Sequence, residues 1–209
     1  MDNYAINALK LAMLNFDQAL FYNTYESLLK EKSFTSIFYD VFIPLLTDMG
    51  LLWQTDTITI AHEHFITTLI RQKIIANTEK IQSKQVNNSR KTFVLYLPDN
   101  EIHELGLMFI NYEILNYGYH SIFLGSSVPI ESLTDIQNYY DDVTFVSYFT
   151  VKPEKENINK YISTIDNIIL KPTQSKFWIL GQMLSHLDLN ALPKNIKTFD
   201  SIKSLIDKL

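Results

Sequence analysis

The periodicity of apolar residues changes partway along the chain, and this change constrains the fold more than any other feature. Up to about residue 82 the apolar positions recur at helical spacing: Leu9, Met13, Phe16 and Leu20, then Phe34, Phe38, Val41 and Leu45, then Ile66, Ile70 and Ile74. Each stripe is one-sided, so these helices must pack on one another or on a partner. Breaks near Asp17, near Lys32-Ser33 and across "GLLWQTDT" divide the region into four helices. Thr59 is placed to cap the fourth, Glu63 falls in its first turn, and Pro44 kinks or restarts the third. Residues 1–82 are therefore expected to form a four-helix bundle.

Residues 83–91 are polar and aperiodic and read as a linker. From 92 to 209 short apolar runs alternate with helical patterns. "TFVLYL", "HSIFLG", "VTFVSYF", "KFWIL" and "NIKTF" are the strands, and helical stretches follow at 104–117, at "IESLTDIQNYY", at "PEKENINKYISTIDNII" and at "DSIKSLIDKL". Such alternation implies right-handed crossovers and a parallel, doubly wound sheet of five strands, an α/β domain of Rossmann-like form behind the helical one. Ligands of such sheets bind beyond the carboxyl ends of the strands.

Composition excludes several chemistries. The 209 residues contain no cysteine, so disulfides, thiol nucleophiles and thiolate metal sites are ruled out, in keeping with a reducing cytoplasm. A formal net charge of −5 with no Lys/Arg cluster gives no footprint for phosphate backbones, so this chain by itself is not expected to grip DNA. Neither a long apolar span nor a signal peptide is expected. There are only five glycines, and none falls in a dinucleotide or P-loop pattern. No catalytic signature of a hydrolase stands out, and the chain is read as a non-enzyme.

The loop after the first strand, "YLPDNEIHELG", carries Glu101, His103 and Gly106. A carboxylate beside an imidazole can fix its tautomer and present the other ring nitrogen to a metal, and a glycine admits close approach to the backbone. By itself the spacing fits a solvated loop histidine better than a ligand. In the helical half "WQTDTITIAHEHF" gathers Trp53, Glu63 and His64 near one helix start, where core packing and a favourable helix dipole are the simpler readings.

Taken together, Trp53, then Glu63-His64, then Glu-x-His-x-x-Gly at 101–106 resemble the effector half of cobalamin-dependent MerR-family regulators of the CarH/LitR type. "PLLTDMGLLWQTDTITIAHEHF" and "GYHSIFLGSSVP" are similar too. The resemblance implies cobalamin, most simply adenosylcobalamin, held between the two domains with His103 as the lower cobalt ligand. It implies a nucleotide tail running past Gly106 and Ser147, and an adenosyl group contacted by Trp53, Glu63 and His64. It further implies a homo-oligomer that responds to light and reaches DNA only through an N-terminal domain absent from this sequence. A corrinoid carrier of a methyltransferase and a cobalamin-free dimerisation domain share the layout and stand as alternatives.

The sequence departs from the family at three places: Gln54 follows the tryptophan, Phe149 ends the Ser147-Tyr148-Phe149 motif, and Leu180-Gly181 replaces a glycine pair. A leucine at 180 implies overpacking against the tail, which typically costs about 1–3 kcal/mol.

Overall fold

A computed structural model describes residues 2–82, 88–140 and 142–209. The chain divides into two compact units, residues 1–77 and 78–209.

Unit 1 is helical. Helices α1 (Asp2–Leu14) and α2 (Gln18–Leu29) are separated by a tight turn in which Phe16 adopts φ 53°. Phe16 therefore lies outside the stripe that the sequence suggested, 48% exposed, while Leu9, Ala12 and Met13 are fully buried. Asp17 caps α2 by accepting a hydrogen bond from Leu20 N at 2.9 Å. Helix α3 (Phe34–Ile37), a π segment (Phe38–Phe42) and α4 (Ile43–Gln54) run on as one helix, so the bundle has its expected four members with α5 (Ile60–Gln82). Pro44 explains the π segment: it has no N–H to give to the preceding turn and its ring crowds that turn, and widening the turn relieves both. The helix continues with a bulge instead of breaking.

By length and composition, 34–54 is apolar enough to cross a membrane. In this unit, however, Ile37, Phe38, Val41, Phe42 and Leu45 are buried at 0–1% exposure, alongside Phe21, Ile66, Ile70 and Ile74. These residues form part of the bundle core, where Phe21, Tyr25 and Phe42 stack 6.1–6.5 Å apart, while Leu51 and Trp53 further along the segment remain exposed.

Unit 2 holds a five-stranded, wholly parallel sheet in the order β2-β1-β3-β4-β5. The strands are β1 (Asn88–Tyr96), β2 (Tyr119–Gly125), β3 (Val143–Tyr148), β4 (Lys176–Leu180) and β5 (Ile196–Phe199). Strand β1 begins at Asn88, so residues 88–91 extend the sheet and are not linker. Asn88 pairs with Tyr119, and after an irregularity the register with β2 resumes at Thr92 and His120. Residues 83–87 lie outside the described residues.

Helix α6 (Leu105–Asn116) follows β1, as the pattern predicts. Of the other three crossings, the last has only the 3-10 turns Gln182–His186 and Leu189–Ala191, and the helices of the second and third are shorter than expected. The second has a 3-10 turn (Ile130–Leu133) and α7 (Thr134–Gln137), and the third has α8 (Ile158–Ile165) with a π segment (Asp166–Leu170). The chain closes with α9 (Ile202–Ile206), begun by a Ser201/Ser204 capping box.

One face of the sheet packs Val94, Tyr96, Phe145, Phe177 and Ile179 against Ile158, Ile162 and Ile165 of α8. Side chains alternate along each strand, so Leu95, Val146, Tyr148 and Leu180 point to the opposite face.

Candidate functional site

The β1–α6 loop is built around one carboxylate. Glu101 is fully buried and accepts five hydrogen bonds. Its Oε1 takes Ile102 N at 2.9 Å, His103 N at 3.0 Å and His103 Nδ1 at 2.6 Å. Its Oε2 takes Val151 N at 2.7 Å and Lys152 N at 2.8 Å, from the loop after β3. Burial pushes the carboxyl pKa up, but these donors outweigh it and hold the value at about 2. Glu101 is therefore an anion at any ordinary pH, and it ties together two loops at the carboxyl edge of the sheet.

The consequence falls on His103. A carboxylate can only accept, so Nδ1 carries a proton, which in the neutral ring leaves the lone pair to Nε2. The imidazole side chain is 45% exposed, while its orientation is set from below by a group that does not move. Ile102 and Val151, whose amides bind the same carboxylate, expose apolar side chains at 66% and 47%. Among the described residues no group of three or more His, Asp or Glu side chains could hold a bare metal ion. A single imidazole suits a metal that arrives with its remaining ligands already in place, as in a macrocycle.

The loop is further fixed by Asn100, at φ 62°, whose N–H donates to Ser127 Oγ at 3.0 Å, and by Ser127 N, which donates to Glu101 O at 3.2 Å. Sequence reasoning missed these partners, and likewise the amides of Val151 and Lys152. Asn100 in a turn was legible, but its partner 27 residues away was not.

The remaining candidates are placed less simply. Gly106 lies in the first turn of α6, and a Cβ there would stand 2.7 Å from the Tyr148 ring, so the ring already rests on it. Gly181 has φ 120°, and a Cβ would meet Phe149 O at 2.3 Å; its glycine is required by a backbone crossing. Ser147 is fully buried, and its Oγ has no hydrogen-bond partner among the described residues. Alternation along β3 puts it on the face of Phe145, opposite Tyr148 and Gly106. The structure thus brings Glu101 and His103 together, and sets Gly106 and Ser147 on different faces of the sheet.

In unit 1, Trp53 ends α4 at 37% exposure, and Glu63 and His64 follow in the opening turns of α5. The start of α5 is organised by His62. Its Nδ1 accepts from Thr59 N at 3.1 Å and lies 3.0 Å from Thr59 Oγ1, and its ring stacks on Phe16 at 4.7 Å. Thr59 takes the expected cap position, its carbonyl accepting from His62 N and Glu63 N, but its hydroxyl pairs with the His62 imidazole and the imidazole closes the cap from the other side. Replacing His62 by alanine should lose both cap and stack, lowering unfolding free energy by about 1–2 kcal/mol. Urea denaturation checks this, and an unchanged midpoint would contradict it.

The helical unit has a counterpart among known families. Residues 5–76 match the B12 binding domain. That stretch nearly coincides with unit 1. The chain is also 29% identical over 96 residues to the HTH-type transcriptional repressor CarH of Myxococcus xanthus, an alignment covering 46% of this chain and 31% of that protein. The chain thus accounts for under a third of that relative. In fold it is similar to the monomethylamine corrinoid protein of Methanosarcina barkeri, with a TM-score of 0.77, complete coverage of both chains and 11% identity. At that identity the likeness concerns architecture only.

A corrinoid can be tested against these residues. The cobalt-ligand end fits: His103 is tautomerically fixed and exposed, with apolar neighbours. The nucleotide-tail end does not, because the Tyr148 ring covers Gly106 and the Phe149 backbone covers Gly181.

Proposed function

We propose that this chain is a corrinoid-binding sensory module, the effector part of a transcriptional regulator, in which His103 is the lower axial ligand of cobalt. The observation that carries the reading is the imidazole oriented by buried Glu101 at the carboxyl edge of a parallel sheet, in a chain whose helical unit matches the B12 binding domain. The likeness to a repressor in sequence supports a regulatory role over a carrier role.

A bound corrinoid would supply a cobalt centre able to take an imidazole ligand, and His103 would be the residue that holds it. Glu101 fixes the tautomer of that imidazole and holds its plane. Trp53, Glu63 and His64 are assigned to the opposite ligand, most simply the adenosyl group of adenosylcobalamin. Homo-oligomerisation and response to light belong to the same reading, with DNA contact left to a separate domain.

The protein is incubated in the dark with a corrinoid, supplied as hydroxocobalamin and separately as diaquocobinamide, then desalted. A retained visible spectrum of imidazole-ligated cobalt is expected, and it should be lost in His103→Ala. Retention of neither compound overturns the proposal, and a spectrum unchanged by His103→Ala overturns the ligand assignment. For the light response, the protein loaded with the adenosyl form of whichever of the two corrinoids it retains should elute differently from a sizing column before and after illumination. Identical profiles would exclude light sensing.

A further inference from the structure

The residues that should make room for a lower nucleotide are packed against the chain's own side chains. Tyr148 is the last residue of β3, and its ring covers Gly106 so closely that Cε2 lies 2.7 Å and Cδ2 3.0 Å from where a Cβ would stand. The ring is largely buried, and burial pushes its hydroxyl pKa up, as for a side chain settled in the packing. Leu180 is the β4 partner of Tyr148 in the parallel register and shares its face, at 1% exposure. Next to it, Gly181 is filled by the backbone of Phe149. Two cavities of about 280 and 210 Å³ lie elsewhere, one beside α8 and one at the amino edge of the sheet, and neither is lined by Gly106, Tyr148 or Leu180.

Ser147 offers no other route. Its unpartnered hydroxyl lies on the far face, fully buried near Ile179, and a tail passing Gly106 would have to cross the sheet to reach it. The two ends of the site therefore make opposite demands. The imidazole is exposed and oriented by Glu101. The path beside Gly106 is closed by the Tyr148 ring, with Leu180 buried beside that tyrosine on the neighbouring strand, and a nucleotide must displace the ring.

Resting on the corrinoid reading above, we propose that this chain selects corrinoids without a lower nucleotide, of the cobinamide class, and that Tyr148 is the residue that discriminates. A base-free corrinoid needs only the exposed imidazole and the apolar edge around it. A complete cobalamin must also expel the Tyr148 ring from its seat on Gly106.

Visible-absorbance titrations of the full chain with diaquocobinamide and with hydroxocobalamin give the two dissociation constants. Wild type is expected to bind cobinamide at least about tenfold more tightly. Tyr148→Phe keeps the ring and should keep the ratio, whereas Tyr148→Ala opens the space and should bring the ratio close to one by tightening cobalamin. Far-UV circular dichroism establishes that each variant is folded, and if Tyr148→Ala is not, Leu180→Gly serves in its place. Equal affinities in wild type, or a ratio that these openings leave unchanged, overturn the inference while leaving the corrinoid reading intact. Binding of neither compound overturns that reading, and the inference with it.

Discussion

Replacing Glu101 by alanine is expected to destabilise unit 2 by about 3 kcal/mol and to release the His103 imidazole from its fixed plane. Four main-chain amides and one ring N–H converge on this carboxylate, and alanine leaves all five without it. A buried donor deprived of its acceptor costs about 1–3 kcal/mol, and the exposure of Ile102 and Val151 lets water recover part of the total. Glutamine is the finer probe. Its amide has one oxygen, so it can serve either the Oε1 trio or the Oε2 pair, while its NH2 faces donors on the other side.

The pH dependence separates charge from shape. The folded-state pKa is depressed to about 2, so between that value and the ordinary carboxylate range the unfolded chain binds the extra proton. Stability from this group is therefore fully present above the unfolded pKa and is lost as pH falls through about 2. The stake is about 3 kcal/mol, and about 2 kcal/mol of it should be gone from the difference between wild type and Glu101→Gln by pH 3, the rest following only as pH falls through about 2. Urea unfolding of both proteins at neutral pH and near pH 3 gives that difference. Parallel lines for the two proteins would remove Glu101 as the source.

The architecture was legible because it rests on periodicity. A stripe at 3.6 residues and a run of five apolar residues between turns each impose their element whatever lies far away in sequence. Where the reading went astray, a distant contact had decided the outcome. The segment "PEKENINKY" reads as helix, but α8 begins only at Ile158, because residues 151 and 152 are held by Glu101 and Asn157 N turns back on Glu154 O at 2.8 Å. Strand β1 was drawn too short because Asn88 and Ser89 look like linker residues, and only pairing with Tyr119 makes the first of them strand.

The site divides in the same way. The Glu101–His103 pair lies two residues apart, so sequence could bring it out. The amides of Val151 and Lys152 lie 50 and 51 residues further on, and main-chain donors leave no mark on residue identity. The Tyr148 ring on Gly106 joins the end of β3 to the start of α6, and no local pattern foretells it. That Ser147 and Tyr148 serve opposite faces, by contrast, follows from strand alternation alone and was available from the outset.

Gly181→Ala should have the second large effect, about 4 kcal/mol, and Gly106→Ala a much smaller one of about 1 kcal/mol, although both positions are crowded. At Gly106 the obstructing atoms belong to a tyrosine ring, which can swing about its own bonds. At Gly181 they are Phe149 O at 2.3 Å and Phe149 C and N at 2.7 Å, and the φ of 120° is itself strained for any residue with a Cβ. The backbone there cannot yield without loss, because Phe149 N donates to Leu180 O at 2.7 Å and Met183 N donates to Phe149 O at 3.1 Å. Moving Phe149 also moves the amides of Val151 and Lys152 just beyond it, and with them the carboxylate that orients His103. Gly181→Ala is therefore expected both to lower the urea midpoint sharply and to weaken imidazole ligation in whatever protein remains folded, read from the visible spectrum after corrinoid loading. Equal midpoints for the two glycine variants would show that the Phe149 crossing is not rigid, and would break the chain of contacts from Gly181 through Glu101 to His103.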